Sequence, residues 1–320
     1  MALAVTISFA DGDALLSWGG VADAIADGHR LPRAEIGDTV LRRPPDTLLS
    51  RSAWIDGMGL LVKTATVFPR NAERKLPAVN GAVHLYSDTD GTLEASIDFH
   101  LVTKWKTAGD SLLAARLLAR SDSRHVLIVG AGTVGWSLRE AYGSLLPDAD
   151  FSVWNRSPDR AAQLAASFPN TEAVGDLASA VAAADIISCA TMSTAPIIRG
   201  EWLRPGQHVD LIGAYRSDMR EADDAALVRS RIFVDSRDTT IDHIGELTDP
   251  IGRSVIARDS VIADFYDIPT GSFTRADVGE ITLFKNGGGA HLDLMIARHI
   301  LDMWQVDFER RNAPDEPGRF

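Results

Sequence analysis

One lysine stands where its neighbours are apolar. In LLVKTATVFPRN, Leu60 to Asn71, the residues suit a pleated, packed strand that ends at Pro69. By two-residue alternation Lys63 shares a face with Leu61, Ala65 and Val67. An ammonium there costs free energy unless an anion meets it, so Lys63 either snorkels to the surface or faces an anionic group. A second stretch, VLIVGAGTVGWSLREA, carries Gly130, Gly132 and Gly135 in G-x-G-x-x-G order, straight after a strand and straight into a helix. The first glycine permits the tight turn, the second lets the backbone approach a pyrophosphate, and the third lets helix and strand pack closely. Thr133 and Val134 open the helix, whose free N–H groups face the phosphates. This pattern predicts dinucleotide binding. The next strand ends VWNRS, with Asn155 and Arg156 where an NAD site places the carboxylate for the adenosine ribose. A guanidinium at that point favours the 2′-phosphate of NADP(H), with NAD(H) as the alternative.

The bulk numbers agree with a small-molecule enzyme. The chain has 320 residues, 45% hydrophobic and 24% charged, enough for two domains. Its net charge of −12 argues against a nucleic-acid or anionic-membrane surface, yet leaves room for small anions held by local cations. No apolar run reaches the roughly 18–20 residues of a membrane span, and the N-terminal stretch lacks a basic region before Asp11 and Asp13, so no signal peptide is read. A single cysteine, Cys189, rules out an internal disulfide and a cysteine-rich metal site; it reads as a buried hydrophobe. The expected location is the cytoplasm.

The elements that position these residues fall into two groups. Residues 13–30 have helical spacing, residues 31–100 read as an antiparallel meander of strands, and residues 108–121 form an amphipathic helix. From Ser123 short apolar strands alternate with helices, in HVLIV, FSVWNR, DIISCAT, HVDLIGAY and RIFVDS, with Ser157 a candidate N-cap. That alternation predicts an α/β fold with a doubly wound parallel Rossmann sheet over residues 121–289. EITLFKNGGGAHLDL reads as a glycine-rich turn into a long final helix, which packs back on the first group. Residues 1–120 together with 290–320 then form a separate α/β unit, and the tail NAPDEPGRF frays.

VKTATVFPRN, VTKWKTAGDSLLAARLLA, VLIVGAGTVG, SCATMSTAPIIRGEWLRPGQHVDLIGAY, MREAD, IFVDSR and EITLFKNGGGAHLDL together resemble the ornithine cyclodeaminase/mu-crystallin family over nearly the whole chain. The resemblance implies a Rossmann domain for NAD(P), a second domain that binds substrate and forms a homodimer, and an α-amino or α-imino acid substrate. It implies that Lys63 is the substrate-site and catalytic lysine. Lys106 stands where many members carry an arginine, and Arg51 is the third cation, with Arg43 as competitor. Cations crowded on one carboxylate depress one another's proton affinity, which brings a lysine toward a pKa of about 7–8 and suits it to donate a proton. Lysine at 106 gives up the bidentate fork of arginine.

The same resemblance exposes one departure. Cyclodeaminases and alanine dehydrogenases carry an aspartate where LIGAYRSDMRE has Tyr215, with Asp218 three residues on. A tyrosine supplies no permanent carboxylate for an amino group and is a poor base at neutral pH. Reduction of a preformed imine asks less. Other candidates are weaker: DHIGEL (Asp242 to Leu247) reads as a structural or cofactor-flanking loop rather than a metal site, and His84 and His100 as core histidines in strands. Asp293 reads either as helix-terminal electrostatics or as a contact near the nicotinamide, with Phe284, Lys285 and Asn286 as its wall. Thr191, Met192 and Ser193 follow a strand end, where doubly wound sheets hold ligands. The expected activity is NAD(P)H-dependent reduction of a small α-imino acid, Δ1-pyrroline-2-carboxylate first and an acyclic imine such as iminosuccinate second. Ornithine cyclodeamination and non-catalytic NADPH binding are the alternatives. No metal is expected.

Overall fold

The computed structural model describes residues 4–313, apart from the side chain of Ala72. In chain order the regular elements are β1 (Val5–Ile7), α1 (Phe9–Asp13), α2 (Trp18–Gly28), β2 (Glu35–Arg43), β3 (Asp46–Ile55), β4 (Gly59–Val67), β5 (Val79–Tyr86), β6 (Leu93–Asp98) and α3 (Phe99–Leu118). Then follow β7 (His125–Val129), α4 (Thr133–Leu145), β8 (Asp150–Trp154), α5 (Pro158–Ala166), β9 (Thr171–Ala173), α6 (Leu177–Ala183), β10 (Ile186–Cys189) and β11 (His208–Leu211). The last are α7 (Asp224–Val228), β12 (Ser230–Val234), α8 (Arg237–Thr240), α9 (Gly245–Gly252), β13 (Val261–Ala263), β14 (Ile281–Lys285) and α10 (Ala290–Asn312). The reading of the tail falls almost wholly outside the described residues. No helix among the described residues is long and apolar enough to cross a membrane.

The contacts divide the chain into two units. The first comprises Met1–Ala24, Leu31–Lys106 and Ala290–Phe320, the second Ile25–Arg30 and Thr107–Gly289. The division falls inside α3, after Lys106, rather than at residue 120.

The first unit is a six-stranded sheet in the order β1-β6-β5-β4-β3-β2, with α10 packed on it. β2 to β6 form an antiparallel meander, and β1 adds to β6 in parallel. β4 buries Leu61, Lys63 and Ala65 in alternation, so the pleat turns the lysine inward with the core residues. The helix read over 13–30 is α2, shortened to Trp18–Gly28, with α1 ending at Asp13 before it, and α3 begins at Phe99 rather than at 108. Asp98 explains the early start: its Oδ1 accepts from the N–H groups of His100 and Leu101, an N-cap that ends the strand. His100 is therefore an exposed helical residue, not a strand histidine of the core. His84 does lie in β5, half-buried, against the Ser96 hydroxyl.

The second unit is an eight-stranded, wholly parallel sheet in the order β13-β12-β14-β11-β10-β7-β8-β9. The chain leaves β7 toward β8 and β9 and returns on β7's other side as β10, so the strand order reverses between β7 and β10. In an open α/β sheet the crevice beyond the carboxyl ends of that pair is the ligand site. ITLFK is a fully buried strand, β14, between β12 and β11, and not part of a turn. Ser157 occupies the N-cap position of α5, but its side chain makes no capping hydrogen bond.

Candidate active site

The cations of the first unit converge from three elements. Arg51 on β3 and Lys63 on β4 are direct cross-strand partners, so their side chains leave the sheet as neighbours. Thr103 and Lys106 are three residues apart on α3 and share one helix face. Asp293 lies in the first turn of α10. Lys63 is 6% exposed; its Nζ donates to Asp293 Oδ1 at 2.8 Å and to Thr103 Oγ1 at 2.9 Å, and lies 4.6 Å from the centre of the Phe99 ring. Burial, with Lys106 and Arg51 nearby, lowers Lys63 to a pKa of about 8, although Asp293 works in the opposite direction. Burial alone would raise Asp293, but Lys63, Lys106 and Arg51 outweigh it and hold the carboxyl below the usual carboxylate range.

The hydrogen bonds of this cluster are incomplete in a patterned way. Arg51 pairs with Asp38 at 2.8 Å through one terminal nitrogen, while its buried Nε meets no acceptor among the described residues. Lys106 has no ion-pair partner among the described residues. Asp293 is fully buried and its Oδ2 meets no donor among the described residues. Arg43, the competing third cation, is exposed and paired with Asp46. The two readings of Asp293 thus give way to a third: it is the counter-charge of Lys63.

The nucleotide candidates of the second unit lie at the β7/β10 end. Gly130 has φ +113°, and a Cβ on it would sit 2.6 Å from the Ala190 carbonyl. A Cβ on Gly135 would lie 2.0 Å from the Gly130 carbonyl, so α4 meets its loop backbone to backbone. Gly132 is exposed with open space where a Cβ would stand, and it caps α4 without any side-chain bond. Beyond it Thr133 is exposed and Val134 half-buried. That cradle fits a pyrophosphate, with unfilled N–H groups at the start of α4. Asn155 accepts from Ala131 N–H at 3.1 Å and donates to the Ser157 carbonyl at 3.0 Å, fastening the glycine loop to the end of β8. Arg156 is exposed beside it. After β10, Thr191 and Ser193 are half-buried and Met192 is 71% exposed.

Lys285 departs from its expected place. It is wholly buried, its Nζ donating to the carbonyls of Leu211 and Asn286, so its side chain ties strand ends together instead of presenting a cation to a cofactor. Phe284 likewise packs in the core, stacked on Phe265. Asn286 donates to the Thr107 carbonyl and to Ser111 Oγ. Tyr215 is 55% exposed, and Asp218 is engaged by Arg216, whose Nη1 also donates to the tyrosine oxygen. The DHIGEL residues separate: Asp242 pairs with Arg258, while buried Glu246 accepts from the N–H groups of Glu221 and Ala222.

Two carboxylates here were not singled out by sequence reasoning. Glu221 accepts from Thr191 N–H at 2.7 Å and Thr191 Oγ1 at 2.8 Å with one oxygen, and from Gly213 N–H at 2.6 Å and Ala214 N–H at 3.3 Å with the other. It therefore clasps the loops that follow β10 and β11. Those loops cross so closely that a Cβ on Gly213 would lie 1.7 Å from the Thr191 carbonyl. Asp235 accepts from Gly287 and Gly288 N–H and so shapes the glycine turn before α10. Both residues stand in stretches that carry the family resemblance, but a carboxylate's grip on distant main chain leaves no local pattern.

Residues 55–307 match the model of the ornithine cyclodeaminase/mu-crystallin family. The chain belongs to that family. A Δ1-pyrroline-2-carboxylate reductase of Paracoccus denitrificans is 53% identical over 300 residues, covering 92% of this chain and 95% of the relative. Among solved structures of the same fold, the Thermococcus litoralis Δ1-pyrroline-2-carboxylate reductase with NADH and L-proline superposes with a TM-score of 0.88 at 24% identity, over 95% of this chain and 98% of that one. The iminosuccinate reductase of P. denitrificans with NAD+ gives 0.85 at 22% identity, over 95% and 97%. The ornithine cyclodeaminase/mu-crystallin fold is thus present in both units.

Proposed function

We propose that this protein is an NAD(P)H-dependent imino-acid reductase of the cytoplasm, converting Δ1-pyrroline-2-carboxylate to L-proline. The observation that carries the reading is buried Lys63 flanked by half-buried Arg51 and Lys106, a set that matches one α-carboxylate, in a chain 53% identical to a reductase of that substrate. When bound, the nicotinamide supplies the hydride. Arg51 and Lys106 hold the carboxylate, which fixes the imine carbon in place, and Lys63, with its pKa near 8, gives its proton to the nitrogen. With Tyr215 exposed and Asp218 taken up by Arg216, nothing at that loop replaces the carboxylate that deamination of ornithine asks for.

Following NADPH absorbance with the purified protein tests this. Pyrroline-2-carboxylate is expected to consume NADPH and yield proline. Proline formed from ornithine without net cofactor consumption would move the assignment to cyclodeaminase, and neither reaction would leave a binding protein.

The gly-loop residues Gly130, Gly132, Thr133, Val134 and Gly135, together with Asn155 and the Thr191–Ser193 loop, are the groups we assign to the dinucleotide, with Arg156 on the 2′-phosphate. Arg156→Ala should weaken NADPH binding at least about tenfold and leave NADH within twofold, since a lost charge-assisted pair to phosphate contributes about 1.5–3 kcal/mol. Equal losses for the two cofactors would remove the proposed preference. A homodimer is part of the same reading. β2 is exposed at all nine positions and carries Ile36, Val40 and Leu41, beside Leu48 and Trp54 of β3. An open edge with apolar side chains is the kind that proteins cover. Sedimentation equilibrium should give twice the chain mass, and a monomer at micromolar concentration would exclude it.

A further inference from the structure

The unsatisfied groups around Lys63 are of two kinds. Among the described residues Arg51 Nε is a buried donor without an acceptor, and Lys106, though its charge is felt by Asp293, forms no ion pair. Opposite in kind is Asp293 Oδ2, a carboxylate oxygen in a fully buried residue that meets no donor among the described residues. Buried polar groups leave a partner unmade only at a cost of about 1–3 kcal/mol, more when charged, so each orphan describes a partner that this cluster is built to receive. The donors and cations describe a carboxylate. The orphan oxygen describes an N–H, and a positively charged one by preference, because the oxygen is anionic. An α-imino acid whose nitrogen is protonated carries both groups on adjacent atoms. Its neutral-nitrogen form offers the carboxylate but no N–H.

We propose that Asp293 receives the substrate nitrogen: its Oδ2 accepts the N–H of the protonated imine while its Oδ1 stays on Lys63. This rests on the imino-acid reading above and adds the form in which the substrate is taken. The charges agree. Lys63 and Asp293 cancel, Arg51 is offset by Asp38, and Lys106 remains to meet the carboxylate. The iminium then meets the already compensated Asp293 at its free oxygen. Hydride adds to the imine carbon, the C=N π pair settles on nitrogen, and a neutral secondary amine forms with its N–H still on Oδ2. The Lys63 ammonium, bonded to the same carboxylate, passes one proton to that amine. The product leaves as the ammonium zwitterion and Lys63 recovers its proton from water. One hydride and one proton are consumed for each iminium reduced. Asp293 in this scheme supplies the carboxylate that the Tyr215 loop lacks, from another part of the chain.

The test uses binding rather than turnover. With saturating NADPH, which forms a dead-end complex with a reduced product, calorimetry compares L-proline with cyclopentanecarboxylate, which keeps the carboxylate and lacks the nitrogen. The wild-type protein should bind proline at least about tenfold more tightly. In Asp293→Asn the amide still accepts from Lys63 but turns an N–H toward the ligand nitrogen, and the preference should fall to within twofold. If both ligands weaken together and the preference survives, Asp293 acts only by positioning Lys63 and the proposal is wrong. Should the single variant fail to fold, Lys63→Met with Asp293→Asn removes both charges and leaves a neutral pair. The double variant is expected to show no preference beside a Lys63→Met control that keeps it; a preference retained in the double variant also overturns the proposal. If the wild-type protein binds neither ligand, the imino-acid reading itself fails, a different result from loss of preference.

Discussion

Lys63→Met should lower kcat/KM for pyrroline-2-carboxylate by about 100- to 10,000-fold, the range a positioned general acid contributes. The wild-type profile supplies the second half of the expectation. Burial lowers the lysine to about 8, so below that pH Lys63 is an ammonium and above it an amine. Rate should therefore fall as pH rises through about 8, with a limb that the methionine variant lacks. Arg51, Lys106, Asp293 and Thr103 are the polar and charged groups that face the ammonium from β3, α3 and α10, and the first two keep its proton loosely held. The variant also strands Asp293 without a counter-ion. Removing one partner of a buried pair costs about 3–5 kcal/mol, so thermal stability and rate must be measured together. A kcat/KM within threefold of wild type in a folded variant would show that the proton comes from elsewhere.

Glu221→Gln is the second change with a large expected effect. A carboxylate accepts at both oxygens, and here both are used: one by Thr191, the other by Gly213 and Ala214. Glutamine accepts at one end only and points N–H against N–H at the other. Two main-chain donors beside half-buried or buried residues then lose their acceptor, at about 1–3 kcal/mol each. A loss near 2–5 kcal/mol, or on the order of 5–15 °C in Tm for a unit of this size, should follow. Because the freed loops end β10 and β11 at the nucleotide crevice, the NADPH dissociation constant should rise at least tenfold. Unchanged cofactor affinity at lowered Tm would reduce Glu221 to a stability role. The neighbouring carboxyl sharpens the choice of buffer. Burial first, and the Glu221 charge second, push Glu246 up to about 7, so wild type and variant need comparison well above neutrality, where Glu246 is ionised.

What was legible in the sequence is what local pattern encodes. The spacing of Gly130, Gly132 and Gly135 is a local signature, in which Gly135 meets the Gly130 carbonyl within its own turn, and Lys63 betrayed itself by breaking an apolar face that the pleat makes regular. Arg51 was found by proximity along the chain and is Lys63's cross-strand partner. The misses have a common physical origin. IDFHLV reads as strand by its β-branched and aromatic residues, but the Asp98 cap decides the helix at the next residue. ITLF has no alternation because both faces of a central parallel strand are buried, and so β14 looked like the approach to a turn. Lys285 has the composition of a ligand and the environment of a structural tie, a distinction that only its two carbonyl partners make. Asp293 and Glu221 act over long separations, where residue type says little about partner.

That separation has a consequence for synthesis. Lys63 and its carboxylate lie 230 residues apart, one in the first third of the chain and the other at the start of the final helix. At roughly 5–20 residues per second a ribosome takes on the order of 10–50 s to cover that interval. Throughout it the meander can form its strands, but the inward lysine has no counter-charge. The first unit thus reaches its native charge state only when α10 arrives, whereas the nucleotide fold lies entirely in chain already made. The nascent chain therefore contains every residue of the nucleotide unit before it contains the partner of Lys63, and a chain stopped short of Ala290 would lack that carboxylate altogether.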